Sequence, residues 1–377
     1  MKKILSFLLG SLIACSASST PVNKFVSSPV GELLAGTSVN NPFLFSPSDL
    51  AGLVAWYQLG TGITNTGAGV SKWADQSGNG RDLLQATDAN RPLPGTQGAD
   101  IVTNGAFTTD VSWTKGTGWD INSTTATKAH HATGTASLLS QASATTLLSQ
   151  YYLTVYTVSG YVAGTVSVSI AGVTGTARSA DGTYTEIITS LAADQVIALS
   201  ANSTFVGDVD TFSVYPLTTA DGILFDGVDN FLKATAFTLN QPTTIYFLGK
   251  QITWTSSDKL IDGDSYQVAA INQTGSSPGL RIIAGLEAAA NDNLALDTYG
   301  VISAVFDGAS SLLQIDNTTP TTGNAGTSNA GGITLSAAGN NLQFAHTQIK
   351  EVVIYSVAHD ASTRRQVIDY LRNVGGL

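Results

Sequence analysis

Residues 75–94 read DQSGNGRDLLQATDANRPLP, and residues 224–234 read LFDGVDNFLKA. The first stretch is dense in turn-forming residues around a short apolar pair, which predicts a turn followed by a short strand. The second stretch predicts the strand that would pair with it. From about Gly98 the chain between them changes character, so the fold depends on what those intervening residues form.

The composition predicts an all-β protein. The chain has 377 residues, of which 43% are hydrophobic and only 12% are charged, and glutamate occurs four times. Few Glu and Lys residues together with many Thr, Ser, Val and Gly residues disfavour helix and favour strands and turns. The formal net charge is −10, and without a basic stripe nucleic acid is not an expected partner.

The N-terminal segment, residues 1–47, has the features of an export signal. Two lysines precede an apolar run that ends at Cys15, the only cysteine in the chain, and the run is too short to span a bilayer. The residues LIAC resemble a bacterial lipoprotein box, which implies lipid attachment at Cys15 and membrane contact only through that lipid. The alternative is an N-terminal arm that docks onto a neighbouring molecule.

The remaining chain divides into two patterns. Residues 98–219 contain short strand-like runs about every ten residues with Gly-rich turns, as in a sandwich or jelly roll. Residues 48–97 and 220–377 carry a second set of strand-length runs. The chain ends in a predicted helix with Asp360 or Ser362 as N-cap, Gly375 as terminator, and one apolar face formed by Val367, Tyr370, Leu371 and Val374.

The flanking segments share motifs with a known family. LVAWY, KWADQSGNGRDLLQATDANRP, ILFDGVDNFL and the closing IKEVVIYS before the helix resemble concanavalin A-like, or laminin-G-like, domains of bacterial surface and phage virion proteins. The resemblance implies one antiparallel β-sandwich made from 48–97 and 220–377. Residues 98–219 are then a domain inserted in one of its surface loops, where insertions cost little.

The inserted segment has a resemblance of its own. TNGAF near its start and DVDTFSVYPL at its end are similar to the paired terminal strands of galactose-binding-like jelly rolls, which serve as carbohydrate-binding modules. The resemblance implies a second antiparallel sandwich that binds glycan.

Catalytic signatures are weak in the sequence. Glucan hydrolases on the concanavalin-like fold need two carboxylates at a defined separation, whereas the four glutamates here are scattered singly. There is no Gly-x-Ser-x-Gly elbow, and the histidines, including the adjacent His130 and His131, are interpreted as loop residues. The sequence therefore predicts a protein that is not an enzyme, with an unusual hydrolase as a remote alternative.

Sugar recognition needs an aromatic plate together with planar amide or carboxylate groups. The candidate plates in the inserted segment are Trp113, Trp119, Tyr152 and Tyr161, with core or rim packing as the alternative for the two tryptophans. Trp254, set among polar residues, is the candidate in the flanking domain.

Calcium is a further expectation from the jelly-roll resemblance. Modules of that family hold a structural Ca²⁺ through oxygen ligands between their terminal strands, and Asp210 matches the carboxylate of the closing strand. The acidic residue usual after the Asn-Gly-x-Phe motif is Thr108 here, which leaves one carboxylate fewer.

The combined interpretation is a non-catalytic carbohydrate-binding adhesion protein, extracellular and displayed on a cell surface, with glycan or cell-surface polysaccharide as its partner. The alternative is a structural phage protein of the head or tail, located in the virion, which would bind other virion proteins through the same domains.

Overall fold

The computed structural model describes residues 45–377 except 122–126, 133, 143–149, 193–194 and 288–291. The predicted export signal and Cys15 lie outside the described residues. Within the described part the regular structure is mostly strand, with one α-helix near the C-terminus. The predicted all-β class, with antiparallel sheets in sandwiches and a short C-terminal helix, is confirmed.

Four strands precede the inserted segment. They follow a short 3₁₀ turn at Pro47–Asp49 and are β1 (Leu53–Tyr57), β2 (Ile63–Thr66), β3 (Gly69–Trp73) and β4 (Leu83–Leu84).

The next eleven strands belong to the inserted segment. They are β5 (Thr96–Gln97), β6 (Thr114–Lys115), β7 (Trp119–Ile121), β8 (Ala129–His131), β9 (Ser137–Ala142), β10 (Tyr151–Ala163), β11 (Val166–Ile170), β12 (Val173–Thr174), β13 (Gly182–Thr189), β14 (Val196–Ala201) and β15 (Val206–Thr218).

The last part returns to the flanking pattern. Its elements are β16 (Ile223–Asp226), β17 (Leu232–Ala234), β18 (Thr243–Gln251), β19 (Lys259–Asp262), β20 (Ala270–Gln273), β21 (Gly279–Ile283), β22 (Asp292–Asn293), β23 (Gly300–Phe306), β24 (Ser311–Ile315), β25 (Thr321–Gly323), β26 (Thr334–Leu335), β27 (His346–Tyr355) and helix α1 (Ala361–Gly375).

These strands form two pairs of antiparallel sheets. The first pair has the strand orders β1-β27-β18-β23-β24-β25, with β16 also on β27, and β2-β3-β4-β17-β26-β19-β20-β21-β22. The second pair has the orders β13-β10-β15-β8-β7, with β5 also on β15, and β12-β11-β14-β9-β6. We call the first pair the host sandwich and the second pair, β5–β15, the guest sandwich.

Each sandwich encloses its own core. The host core joins residues from both sides of the insertion, such as Tyr57 and Trp73 with Phe247 and Ile354. The guest core is separate and is built from β7–β15, the loops between them and the segment before β6. A third cluster lies between the host sheet and α1, because the apolar face of the helix covers the outer surface of β18, β23 and β27.

The two chain segments that join the sandwiches run side by side. The backbone N–H groups of Leu93 and Leu224 each donate to the other residue's carbonyl oxygen, both at 2.9 Å. Strand β5 pairs with Leu217–Thr218 of β15, so the guest sandwich already includes Thr96 and Gln97, which the sequence places in the host. The insertion therefore enters and leaves the host at one point.

Helix α1 begins and ends as its sequence indicates, with two refinements. Asp360 is the N-cap, since its side chain accepts from the Thr363 N–H at 2.8 Å. The left-handed C-cap is Gly376, with φ 71°, and Gly375 is the last helical residue. Val367 and Leu371 are fully buried against the host sheet.

Candidate functional site

An open groove of about 480 Å³ lies at the end of the host sandwich where β4 pairs with β17. Its lining comes from two distant parts of the sequence and comprises Asn79, Gly80, Arg81, Asp82, Leu84, Thr235, Ala236 and Phe237. We call it the β4–β17 groove. Residues 79–84 on one side belong to the turn quoted at the start of the sequence analysis. The pairing of β17 with β4 brings residues 235–237 to the other side.

Two carboxylates hold the turn that forms one wall: Asp82 Oδ1 accepts from the Asp75 N–H at 3.0 Å, and Asp75 accepts further bonds. Asp75 Oδ1 accepts from the backbone N–H of Trp56 at 3.0 Å and of Ser77 at 2.8 Å. Asp75 Oδ2 accepts from Ser77 Oγ at 2.8 Å and from the Arg81 N–H at 3.1 Å. Because both oxygens are used within the turn and on β1, Asp75 has a positioning role and fixes the groove wall.

The groove contains an aromatic ring with polar groups around it. The Arg81 guanidinium carbon lies 4.3 Å from the centroid of the Phe237 ring, and Arg81 Nη1 donates to the Val54 carbonyl at 2.7 Å. Asp82 Oδ2 lies 3.3 Å from Lys72 Nζ. Asn79 and Leu84 are exposed at the rim, and Phe237 is half-buried.

This arrangement suits a ligand with an apolar face and a rim of hydroxyl groups. The Arg81–Phe237 stack and Leu84 offer a flat surface for C–H groups. The Asp82 carboxylate accepts hydrogen bonds, and the amide and guanidinium groups add planar polar partners.

A second groove, of about 520 Å³, lies where the guest sandwich meets the β2–β3 turn, and Gly67, Gly175 and Glu186 are among its lining residues. Glu186 is 4% exposed, and its Oε2 accepts from the Thr176 N–H at 2.9 Å. A Cβ atom at Gly175 would overlap Glu186 Oε1, so the backbone covers this carboxylate. The groove therefore does not present its one acid to a ligand.

The structure places three of the predicted sugar plates inside the guest core. Trp113 is 9% exposed, Trp119 is 5% exposed and Tyr152 is fully buried. The Trp113 ring packs against Phe107 and Phe212, with centroids 5.3 and 6.0 Å away. The three rings are therefore enclosed by core packing, and none of them presents a face to a sugar in this conformation.

The other two predicted plates are half-buried. Tyr161 packs beside the guest core and its hydroxyl donates to the Gly164 carbonyl at 3.1 Å. Trp254 Nε1 donates to the Gly279 carbonyl at 3.2 Å. The structure brings neither of them to the β4–β17 groove, and their role in binding stays a prediction.

Among the described residues, no cluster of acidic side chains surrounds Asp210, the predicted calcium ligand. Its Oδ1 accepts from the next backbone N–H, that of Thr211, at 2.7 Å, and the Thr108 hydroxyl donates to Asn104 Oδ1 at 3.1 Å. In the described part of the chain no three His, Cys, Asp or Glu side chains are grouped to hold a metal ion. Calcium binding at Asp210 stays a prediction.

The prediction that two histidines are loop residues is wrong. His130 and His131 lie on strand β8, and His131 is fully buried with Nδ1 2.7 Å from the Phe205 carbonyl oxygen.

Helix α1, the longest helix among the described residues, has neither the length nor the hydropathy of a membrane span.

Sequence reasoning missed the groove residues Arg81, Asp82 and Phe237. The turn motif predicts a feature of the fold, and its sequence does not mark the Arg-Asp end as a binding surface. Phe237 follows β17 in a polar stretch, and only the pairing of β17 with β4 shows that it meets Arg81.

Comparison with known proteins gives structural matches only. No family model and no curated protein matches the sequence. An arabinofuranosidase complexed with arabinofuranosyl-α-1,2-xylobiose is 12% identical, with a TM-score of 0.41 over 88% of this chain and 65% of that one. A GH54 α-L-arabinofuranosidase soaked with a cyclic sulfate inhibitor is 13% identical, with a TM-score of 0.37 over 81% and 51% of the two chains.

A sialidase from Trypanosoma rangeli is 10% identical, with a TM-score of 0.33 over 41% of this chain and 28% of that one. This chain thus spans between 28% and 65% of the length of these three structures. At TM-scores of 0.33–0.41, no reaction, substrate or catalytic residue is transferred to this chain. The concanavalin A-like and galactose-binding-like assignments stay predictions, because no family model supports them.

The comparisons correct the predicted function. The structures found are glycosidases, whereas the sequence was interpreted as a non-catalytic adhesion protein or a virion decoration protein that is not an enzyme. These predictions are wrong on this finding and are not retained. What remains of the original interpretation is a β-sandwich protein with carbohydrate as the candidate partner.

Proposed function

We propose that this chain recognises carbohydrate in the β4–β17 groove. One observation carries the proposal: an aromatic ring stacked by a guanidinium group shares one open groove with a carboxylate and an exposed amide. A pyranose or furanose ring has the same division between C–H faces and hydroxyl rims. Its C–H face would lie on Arg81 and Phe237, and its hydroxyl groups would donate to Asp82.

The test is binding of a panel of oligosaccharides and polysaccharides to the full chain. Phe237→Leu keeps an apolar side chain but removes the ring, and Asp82→Asn removes the charge. We expect each to weaken binding about tenfold, which corresponds to about 1.4 kcal/mol. Val162→Ala, at a side chain that is 72% exposed on the guest sandwich, is the matched control and should bind as the wild type does.

Turnover is measured separately with 4-nitrophenyl glycosides, including arabinofuranosides and sialosides. Release of nitrophenol that Asp82→Asn abolishes would extend the proposal from binding to hydrolysis. Equal binding by Phe237→Leu and Val162→Ala would refute the groove as the site. A complete lack of binding and turnover across the panel would refute carbohydrate as the ligand.

Export and lipid attachment at Cys15 are separate proposals. They rest on the two lysines, the apolar run and the LIAC residues. The mass of the N-terminal peptide from the native source tests them, since a diacylglycerol-modified cysteine at the new N-terminus is the expected product.

A further inference from the structure

Two buried polar side chains are paired on adjacent strands of one host sheet. Lys259 on β19 and Asn272 on β20 are register partners in an antiparallel pair, and both are 0% exposed. The Cβ atoms of directly opposite residues in such a pair lie about 4.5–5.5 Å apart. A β-bulge lies between Lys259 and Ile261, and the lysine side chain is long enough to reach the asparagine amide across this separation.

The burial of Lys259 is not explained by an ion pair. Fully buried lysines are normally paired with an acid, yet no carboxylate oxygen among the described residues lies within 4.0 Å of this Nζ atom, which donates to the Ser257 carbonyl at 2.6 Å. The Tyr266 ring centroid lies 5.4 Å away. Burial lowers the pKa of Lys259 to about 8, so roughly a tenth of the amine is neutral at pH 7.

Asn272 has a buried acceptor atom that lacks a hydrogen-bond donor. Its Nδ2 donates to the Gln273 carbonyl at 3.2 Å, while its Oδ1 is buried and has no hydrogen-bond partner in the described structure. Orphaned buried acceptors are rare in native proteins and call for an explanation. A lysine amine without a carboxylate partner and an amide oxygen without a hydrogen-bond donor thus occupy adjacent buried positions.

We propose that Lys259 and Asn272 join in an intramolecular isopeptide bond. The lone pair of the neutral Lys259 Nζ adds to Cγ of Asn272, and the Cγ–Nδ2 bond then breaks. The proton that Nζ loses is transferred to Nδ2, which leaves as ammonia. No atom is oxidised or reduced, and no other reactant is needed.

The surroundings favour this reaction over hydrolysis. Burial excludes water from the amide and keeps part of the lysine neutral, which makes the amine a nucleophile. The charged groups that act on Lys259 are Asp262, Arg281, Asp258 and Glu287. Burial raises the pKa of Asp258 to about 6 and also raises that of Asp262. Fixed juxtaposition replaces a bimolecular encounter.

Trypsin gives a sharp test, because it cleaves after lysine only when the amine is free. The full chain is purified, incubated folded at pH 8, denatured and digested. An unlinked chain yields the peptides 251–259 and 260–281. The linked chain instead yields one peptide, 251–281, that is uncut at Lys259 and lighter than its sequence mass by one ammonia.

Lys259→Met and Asn272→Ala should each lose the ammonia deficit, whereas Lys128→Met, on the guest sandwich, should retain it. The wild-type digest decides the question even if a variant fails to fold. Complete cleavage at Lys259, with both peptides at their full masses, overturns the proposal. Ammonia loss within 260–281 from a chain still cut at Lys259 also overturns it, since that product is a cyclic imide of Asn272.

Discussion

At the scale of single residues, Glu351 is a buried acid whose pKa is raised well above its usual range. It lies on β27 under helix α1, fully buried, and its Oε1 accepts from Trp56 Nε1 at 2.6 Å and from the Tyr370 hydroxyl at 2.9 Å. Its Oε2 has no partner in the described structure. Burial raises the pKa of Glu351 from 4.5 to about 7, although its hydrogen bonds act in the opposite direction.

This pKa predicts that the protein is less stable at neutral pH than at pH 4.5. A carboxyl group with a higher pKa in the folded state holds its proton more tightly there, so the free energy of unfolding falls as pH rises from about 4.5 to about 7. The loss from this group is about 3 kcal/mol. Glu351→Gln should remove most of that decline in urea unfolding measured from pH 4.5 to pH 8.

The control is Glu287→Gln, at an exposed glutamate that pairs with Arg281. It should leave the pH dependence of the wild type unchanged. Parallel curves for the wild type and Glu351→Gln would show that the buried carboxyl group is already ionised at acidic pH.

Asp75 gives a second prediction at this scale. Asp75→Asn turns one acceptor oxygen into a donor that faces N–H and O–H groups of the turn. Leaving buried donors unsatisfied costs about 1–3 kcal/mol each, so we expect a loss of about 3 kcal/mol in the free energy of unfolding. Asp110→Asn, at an exposed ion pair with Lys115, should change it by less than about 0.5 kcal/mol.

Individual residue roles were harder to predict than residue environments. The pattern around Trp113 and Trp119 indicates a position at a strand end, and both a core ring and a sugar plate are compatible with it. The difference is made by Phe205 and Phe212, which pack against Trp119 and Trp113 from a distant part of the chain. Such long-range packing leaves no local signal in the sequence.

At the scale of elements, the sequence predicts what local chemistry determines. The apolar spacing of Val367, Tyr370, Leu371 and Val374 predicts α1, and an Asp N-cap and a glycine after the last turn fix its ends. The alternation of Val166, Val168 and Ile170 predicts β11, where all three are fully buried. The β4–β17 pairing that forms the groove is different, because it joins residues far apart in the sequence and depends on the whole sheet.

A substitution at Gly105 tests how the first and last segments of the guest sandwich stabilise each other. The Phe212 N–H donates to the Gly105 carbonyl at 2.9 Å, and a Cβ atom at Gly105 would overlap the Phe212 carbonyl oxygen. Because that neighbour is backbone, Gly105→Ala should destabilise the guest sandwich by about 3 kcal/mol. Gly134→Ala, where the nearest atom to the new Cβ would be 3.7 Å away, is the control.

Hydrogen exchange with mass spectrometry separates the two sandwiches in this experiment. Amides of β10 and β15 should lose protection in Gly105→Ala, while those of β18 and β27 keep it. Equal loss in both sandwiches would mean that the guest and the host unfold as one cooperative unit.

At the scale of the whole molecule, the division into a host and a guest was predicted from motifs alone. The separation of LVAWY and the turn from the later strands indicates an insertion, and the observed sheets mix strands from before and after it. The exact boundary could not be predicted, because β5 pairs with β15 through only two residue pairs. Independence of the two bodies stays a prediction, since other contacts link them, including the Ile187 N–H with the Gly67 carbonyl at 2.7 Å.

Excision of the guest tests that independence. Leu93 and Leu224 are already hydrogen-bonded neighbours, so replacing residues 96–218 by a Gly-Ser pair should close the host with little strain, and a short loop lowers the entropic cost of closure. We expect this host and the isolated 96–218 fragment each to unfold cooperatively in urea. The intact chain, denatured in parallel, should show both transitions. If both the shortened host and the isolated fragment stay unfolded, the two sandwiches do not fold independently. The contacts across the junction, including that of Gly67, are then required for folding.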